Sequence, residues 1–203
     1  MCGFFGVIAS TPVESSRSDR IRDVLNSRGP DGSGTFLTPD QTVMLIHTRL
    51  AILDLHTRAL QPFTTQSGRY TMAYNGEIYN FRELGRELTD AGITLRTTSD
   101  TEVVAEGFEL WGEGFIRRLE GMFSISIYDS SEDVLWLFRD AYGIKPLLYC
   151  SDAGRFLFST SAQAILAYEP QLGIDVDAVR EFLANGFIME PNSLYRGVQW
   201  LGH

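Results

Sequence analysis

The sequence predicts an α+β protein in which two antiparallel β-sheets are flanked by helices. Apolar and β-branched runs towards both ends of the chain are typical of strands, and two amphipathic helical segments lie between them. This order differs from the regular strand–helix alternation that builds a doubly wound parallel sheet. The chain contains neither a GxGxxG nor a GxxxxGK[ST] motif, so no dinucleotide or P-loop phosphate site is predicted.

In the N-terminal half, strands are predicted at GFFGVIAS, TFLT and TVMLIHTRLAIL. Residues 19–27 have the apolar spacing of a helix, and RGPDGSG at 28–34 has the glycine and proline content of a loop. A second loop is predicted from about residue 54 to residue 67. RYTMAYNGEIYN is predicted to form a hairpin that turns at Asn75 and Gly76, because Asn-Gly is a strong hairpin signal.

The middle of the chain predicts two helices, and more strands follow them. The first spans Asn80–Asp90, with Glu83 at the spacing of a capping box. The second starts near Ser99 and is closed by Gly112. Strands are then predicted at MFSISIYD, VLWLFRD, PLLYC and RFLFST, the first of which alternates as a half-buried strand does. A short helix is predicted at 177–185.

Composition narrows the classes of partner and the location. The 203 residues suffice for one large domain. The net charge of −9 argues against binding to nucleic acid or to an anionic membrane surface, both of which favour a basic protein. No apolar run reaches the roughly 18 residues that span a bilayer, and no basic segment precedes the first apolar run as in a signal peptide. The expected location is therefore the cytoplasm.

The cysteines and histidines predict neither a disulfide nor a metal site. Cys2 and Cys150 are expected to be reduced in a cytoplasmic protein. His47, His56 and His203 are scattered, and with two distant cysteines they give no metal-ligand spacing.

The N-terminal stretch MCGFFGV raises a catalytic hypothesis. Removal of Met1 would place a thiol and a free α-amine together on Cys2. An α-amine has a pKa of about 7.7–8.0, so it can act as a general base at neutral pH. N-terminal nucleophiles of this kind need no catalytic histidine. The amide of Asn75 and the N–H of Gly76 are candidates for the oxyanion hole that an attacked carbonyl requires.

Seven segments together resemble, in order and spacing, the glutaminase domain of glutamine-dependent asparagine synthetases. They are MCGFFGV, RGPDGSG, HTRLAILD, YNGEIYN, TTSDTEVV, LEGMFSISIYD and RDAYGIKPLLY. The resemblance covers residues 1–203 as one domain and identifies the chain as a class II glutamine amidotransferase. It implies an N-terminal-nucleophile hydrolase fold, an αββα sandwich of two antiparallel sheets flanked by helices.

The resemblance also assigns roles to residues. It implies that Cys2 is the nucleophile after loss of Met1, and that Asn75 and Gly76 form the oxyanion hole. It places the glutamine α-carboxylate on Arg49 and the α-amine on Asp100. The pocket would be completed by these residues: Ile52, Leu53 and Glu77. A guanidinium for a carboxylate and a carboxylate for an ammonium match the two charged groups of a free amino acid.

The remaining residues of these motifs are expected to have mainly structural roles. Arg28 and Asp31 are expected to form an ion pair that braces their loop. Three residues of the RDAYGIKP motif are expected to form a buried polar brace or a partner interface, namely Arg139, Asp140 and Lys145. Phe4 and Phe5 are expected in the core.

The resemblance implies an ATP-dependent synthetase partner that uses the ammonia to amidate aspartate or a related carboxylate. The SGGxDS loop of that partner is absent from the sequence, so ATP and Mg²⁺ are expected only there and no cofactor in this domain. The chain is then either a domain of a longer protein or a separate glutaminase subunit, and a homodimer is left open. Two alternative functions also stay open: a non-catalytic glutamine-sensing scaffold, and an N-terminal-nucleophile hydrolase of another amide.

Overall fold

The computed structural model describes residues 1–152 and 154–202, and ten strands form two sheets in this part of the chain. The strands are β1 (Gly3–Ala9), β2 (Gly32–Leu37), β3 (Val43–Arg49), β4 (Phe63–Thr64), β5 (Tyr70–Ile78), β6 (Gly121–Asp129), β7 (Val134–Arg139), β8 (Leu148–Asp152), β9 (Arg155–Ser159) and β10 (Val198–Trp200). The α-helices are α1 (Ser18–Asn26), α2 (Phe81–Asp90), α3 (Asp100–Trp111), α4 (Ala162–Tyr168) and α5 (Val176–Asn185).

All pairings within the two sheets are antiparallel. The first sheet has the order β10-β8-β9-β1-β3-β2, and the second has the order β4-β5-β6-β7. At the end of the first sheet where β1 begins, Gly3 pairs with Thr48, so Cys2 lies next to the end of β3. Because β5 pairs with the short β4 only at its beginning, its later residues have one free edge.

The two sheets pack face to face between two layers of helices, which confirms the predicted αββα sandwich. Alternate residues of β3 show the arrangement: Val43 and Leu45 join an apolar cluster between the sheets, whereas Met44 and Ile46 join the cluster on the helical side with α1 and α4. A third cluster joins the second sheet to α2 and α3. By this period of two, the side chains of Cys2 and Arg49 belong to the face between the sheets.

The predicted hairpin at Asn75-Gly76 is wrong, because β5 runs without interruption from Tyr70 to Ile78. Its residues 70–78 pair continuously with β6, and this long antiparallel ladder outweighs the turn preference of Asn-Gly. Strand β3 ends at Arg49 instead of continuing to Leu53, and β2 begins at Gly32, inside the predicted loop.

The predicted capping box at the start of α2 is also absent. The side chain of Asn80 donates to the carbonyl of Arg118 and accepts from the N–H of Glu120, so it ties α2 to the segment before β6. The predicted start of α3 near Ser99 is confirmed, and the structure adds that Ser99 caps the helix, because its Oγ accepts from the N–H of Thr101. Among the strands and α-helices of the described residues, β4, α4 and β10 were not predicted from the sequence. No helix within residues 1–152 and 154–202 has the length and apolar character needed to cross a membrane.

Candidate active site

A cavity of about 250 Å³ opens where β1 begins, β3 ends and β5 has its free edge. The predicted site residues all line it, namely Cys2, Arg49, Ile52, Leu53, Asn75, Gly76, Glu77 and Asp100. Residues separated by almost one hundred positions in the sequence therefore share one wall. The size of the cavity fits a small metabolite such as an amino acid.

Cys2 is half-buried beside the end of β3. Its Sγ lies 3.8 Å from the carbonyl oxygen of Leu50, to which the thiol donates. Burial raises the pKa of the Cys2 thiol, while the α-ammonium of Met1 and the Arg49 guanidinium act in the opposite direction. The thiol is therefore the resting form, and a reaction through the thiolate needs a base.

Arg28 contacts Cys2, and the expected ion pair with Asp31 is wrong. Nε of Arg28 donates to the carbonyl oxygen of Cys2 at 3.2 Å, whereas Oδ2 of Asp31 accepts from the N–H of Ala51 at 2.8 Å. Nη2 of Arg28 is buried and has no hydrogen-bond partner among the described residues. The RGPD segment thus supports both the main chain at Cys2 and the loop that follows β3.

Asn75 presents a buried donor at the cavity wall. Its side chain belongs to the face of β5 that looks towards the first sheet, because Ala73 of the same face joins the cluster between the sheets. Asn75 is 1% exposed, and within the described part of the chain its Nδ2 has no acceptor. A buried donor without an acceptor costs roughly 1–3 kcal/mol of stability. Such a group calls for an explanation, and at the cavity wall the Asn75 amide is available to a ligand.

The N–H of Gly76 points to the free edge of β5. The N–H groups of Tyr74 and Ile78 on that edge donate to side chains outside the second sheet, and the strand alternates with a period of two. A Cβ at position 76 would lie 2.3 Å from the main-chain oxygen of Met122. Glycine is therefore required by the close approach of β6 rather than by a turn.

Asp100 is the first residue of α3 and is 5% exposed. Its Oδ2 accepts from the hydroxyl of Tyr74 at 2.8 Å and from the N–H of Ile78 at 3.2 Å. Burial raises the pKa of the Asp100 carboxyl, and these two donors partly offset that effect. Asp100 thus provides a buried acidic group with no ion pair to a basic side chain among the described residues.

Arg49 joins the cavity to the loop after β3. Its Nη1 donates to the carbonyl of His56, and its Nη2 donates to the carbonyls of Leu53 and Asp54. These three contacts leave part of the guanidinium's five N–H donors unused. The guanidinium is therefore held at the wall, with donor capacity left for a ligand.

Asp54 fixes the other side of the same loop. Its carboxylate accepts from the N–H groups of Thr98 and His56 and from Nε of Arg58. These contacts, the one from Thr98 foremost, lower the pKa of Asp54 to about 2. The loop that carries Ile52 and Leu53 is thus fastened at both ends, while the side chain of Ile52 remains 67% exposed.

His47 links the two sheets behind the cavity. Its Nε2 lies 3.0 Å from the carbonyl oxygen of Tyr74 and donates to it, which assigns the proton of the neutral ring to Nε2. Nδ1 is buried without a partner among the described residues. Burial lowers the pKa of His47 to about 4, so the ring is neutral in the folded protein at neutral pH.

The motif RDAYGIKP forms the expected polar brace beside the cavity. The carboxylate of Asp140 accepts from four main-chain N–H groups, those of Phe123, Tyr142, Ile144 and Lys145. Burial acts to raise the pKa of Asp140, but these donors outweigh it and the pKa is lowered. Arg139 donates to the carbonyls of Gly143, Lys145 and Leu201 and to the carboxylate of Glu190. Lys145 is thereby held at the cavity wall.

Sequence reasoning missed several residues of the wall, among them Gln61, Tyr74, Ser99, Thr101 and Met122. The signal for Tyr74 is its place beside Asn75 in YNGEIYN, whereas Gln61 gives no signal in the sequence. Phe4 and Phe5 lie in the core as expected, with no exposed surface.

No metal centre is found in the part of the chain that the structure describes, because no group of three or more possible ligand side chains comes together there. His203 lies outside the described residues. Cys2 and Cys150 are both free thiols.

The comparisons with known proteins agree with the resemblance seen in the sequence. The family model described as "Glutamine amidotransferase domain" matches residues 1–203. Asparagine synthetase [glutamine-hydrolyzing] 1 of Bacillus subtilis (strain 168) is 33% identical over 199 residues, which is 96% of this chain and 31% of that protein. Putative asparagine synthetase [glutamine-hydrolyzing] 2 of Methanocaldococcus jannaschii is 31% identical over 97% of this chain and 41% of that protein.

The chain thus spans 31% of the length of the first of these curated relatives and 41% of the length of the second. Among solved structures, the glutamine phosphoribosylpyrophosphate amidotransferase of B. subtilis, complexed with ADP and GMP, superposes with a TM-score of 0.71 at 20% identity. The match covers 83% of this chain and 44% of that one. At this identity the likeness shows the fold, which agrees with the predicted αββα sandwich of two antiparallel sheets flanked by helices.

His47 predicts a pH dependence of stability. The unfolded ring takes up a proton below its ordinary pKa of 6.5, whereas the folded ring resists protonation down to about pH 4. Stability is therefore complete above pH 6.5 and is lost as the pH falls towards 4, by up to about 3 kcal/mol from this group. In His47→Gln, which keeps a donor for the Tyr74 carbonyl, we expect a smaller loss in urea unfolding at acidic pH.

The matched control is His56→Gln, because His56 is exposed. Its acid sensitivity should equal that of the unsubstituted protein. An identical acid sensitivity of His47→Gln and the unsubstituted protein would show that His47 does not resist protonation.

Proposed function

The chain belongs to the family of glutamine amidotransferase domains, and we propose that it hydrolyses L-glutamine to glutamate and ammonia. One observation carries the proposal: the thiol of Cys2, the unpaired amide nitrogen of Asn75 and the buried carboxylate of Asp100 line one cavity of about 250 Å³. These groups supply a nucleophile, an oxyanion donor and an acceptor for an ammonium.

The two charged groups of glutamine have matching side chains in the proposed complex. Arg49 binds the α-carboxylate through the donor capacity that its loop contacts leave, and Asp100 binds the α-ammonium. Ile52, Leu53 and Glu77 complete the wall. With both charged groups held, the side-chain amide is presented to the thiol at the other end of the cavity, so proximity supplies part of the catalysis.

Activation of the nucleophile depends on Met1 in this proposal. Met1 lines the same cavity and is 57% exposed. Its removal transfers the free α-amine to Cys2, where the amine takes the thiol proton. Because burial raises the pKa of the thiol, this base is required at neutral pH.

The reaction then proceeds in two steps. The thiolate attacks the γ-carbonyl carbon, and the oxygen that becomes negative accepts from Asn75 Nδ2 and the Gly76 N–H. The C–N bond breaks, ammonia leaves with the proton held by the α-amine, and a γ-glutamyl thioester remains. Water hydrolyses the thioester to glutamate and regenerates the thiol. Nothing in these steps requires a metal ion or cofactor from this chain.

We further propose that the ammonia is used by an ATP-dependent synthetase domain or subunit that amidates aspartate or a related carboxylate. The names of the curated relatives support this, because they are asparagine synthetases described as glutamine-hydrolysing. ATP and Mg²⁺ then belong to that partner. A glutamine-sensing scaffold would need no unpaired oxyanion donor beside a thiol, so the geometry favours the enzyme.

We expect Cys2→Ala to abolish glutamate release from L-glutamine, because no other group at the cavity can form the thioester. The assay uses protein whose intact mass shows that Met1 is absent. Cys150→Ala is the matched control, since Cys150 is a buried thiol outside the cavity wall; its activity should persist. Glutamate release by Cys2→Ala at the original rate would refute the role of Cys2.

Asn75→Ala should lower kcat by roughly 100-fold to 1,000-fold, the usual effect of removing one oxyanion-hole donor. KM should change much less, because the oxyanion forms only after attack. The exposed Asn185 at the end of α5 supplies the control Asn185→Ala, which should retain full activity. A rise in KM at constant kcat would instead make Asn75 a residue for substrate binding.

A further inference from the structure

Tyr74 holds one oxygen of Asp100 without itself belonging to the proposed catalytic steps. Its ring belongs to the face of β5 that packs on α3, and only 3% of the residue is exposed. The hydroxyl donates to Oδ2 of Asp100 at 2.8 Å, and the N–H of Ile78 donates to the same oxygen at 3.2 Å. Two donors therefore converge on Oδ2.

The other carboxylate oxygen is held much more weakly. Among the described residues, the side chain that reaches Oδ1 of Asp100 is the neighbouring Ser99, whose Oγ lies at 3.4 Å, near the limit for a hydrogen bond. The N–H of Thr101 also acts on the carboxylate, but less than the Tyr74 hydroxyl and the Ile78 N–H do. Since Tyr74, Ser99 and Asp100 all line the cavity, Oδ1 is the oxygen with acceptor capacity left for a ligand.

Gln61 makes this arrangement rigid. Its Oε1 accepts from the N–H of Tyr74 at 2.7 Å, and its Nε2 lies 3.4 Å from Oγ1 of Thr101, the second residue of α3. The start of α3 is thus tied to β5 three times, through Gln61, through the Tyr74 hydroxyl and through the N–H of Ile78. A carboxylate held on two sides is preorganised for its ligand.

We propose that Tyr74 is a positioning and specificity-determining residue, which directs Oδ1 of Asp100 to the α-ammonium of the substrate and so favours α-amino amides over analogues that lack the amine. This inference rests on the proposed function. The Tyr74 ring packs beside Gly76, since a Cβ at that position would lie 2.7 Å from Tyr74 Cε2. The hydroxyl, in contrast, donates to Asp100 rather than to the thiol or an oxyanion donor, so its removal with the ring kept affects amine recognition rather than the chemical steps.

The charged and titratable groups around the Tyr74–Asp100 pair determine how pH affects ligand binding there. Cys2, Arg49, Glu77 and Lys145 line the same cavity from the other elements. Burial raises the pKa of the Asp100 carboxyl, and the Tyr74 hydroxyl is the strongest of the hydrogen bonds that lower it. Loss of that hydroxyl raises the pKa of Asp100 further. Binding of the ammonium needs the carboxylate form of Asp100. As the pH falls, binding is therefore lost at a higher pH than in the protein that keeps the Tyr74 hydroxyl.

The test is the affinity for two ligands in a Cys2→Ala background, in which binding is measured without turnover. Titration calorimetry across the acidic range compares L-glutamine with glutaramate, which has the same amide and carboxylate but no α-amine. Tyr74→Phe keeps the ring and removes the hydroxyl. Tyr128→Phe is the matched control, because the Tyr128 hydroxyl also donates to an aspartate, Asp133, but outside the cavity wall.

We expect Tyr74→Phe to weaken glutamine binding roughly tenfold or more, the size expected for a hydrogen bond to a charged group. The pH at which glutamine binding is half lost should rise in Tyr74→Phe, whereas its affinity for glutaramate should not change. In Tyr128→Phe, the affinities for both ligands and the pH midpoint should equal those of the Cys2→Ala background. Equal weakening for both ligands, or an unchanged pH midpoint for glutamine, would overturn the positioning role. If the Cys2→Ala protein binds no glutamine at all, the proposed function itself is contradicted.

Discussion

The face-to-face packing of the two sheets is the constraint on which the site depends. Because side chains alternate along a strand, Cys2, Arg49 and Asn75 all belong to the faces between the sheets, although Cys2 directly precedes β1 and the other two lie in β3 and β5. The hydrogen bond from His47 to the carbonyl of Tyr74 links β3 to β5 across this interface. A shift of one sheet against the other would separate Cys2 from Asn75.

Burial explains most of the unusual electrostatics of the site. It raises the pKa values of Cys2 and Asp100, and it leaves donors of Asn75 and Arg28 without acceptors among the described residues. Each such group destabilises the folded protein, since buried polar groups are normally paired. The surrounding hydrogen bonds, such as those of Tyr74 to Asp100 and Arg28 to the Cys2 carbonyl, hold these groups in place. The same residues therefore lower the stability of the folded protein and remain available to bind a ligand.

The sequence was sufficient for the layered architecture and for eight residues of the cavity wall, but not for the rest of the wall or for how its residues are held. The Asn-Gly pair predicted a turn, because local preference cannot reveal that β6 pairs along the whole of β5. Arg28 and Asp31 predicted an ion pair, whereas the fold brings the carbonyl of Cys2 and the N–H of Ala51 to them. The roles of Gln61 and Tyr74 depend on the position of α3 against β5, which no local pattern specifies.

Covalent labelling of the Cys2 thiol is the most direct test of whether Cys2 is the nucleophile of a glutamine site. An electrophilic glutamine analogue, a diazo ketone that alkylates a thiolate with loss of dinitrogen, is incubated with protein that lacks Met1, and the modified peptide is identified by mass spectrometry. We expect one adduct, on Cys2 and not on Cys150. It should form more slowly when L-glutamine is present. Labelling of Cys150 alone, or labelling of Cys2 that glutamine does not slow, would contradict the claim that Cys2 is the nucleophile of a glutamine site.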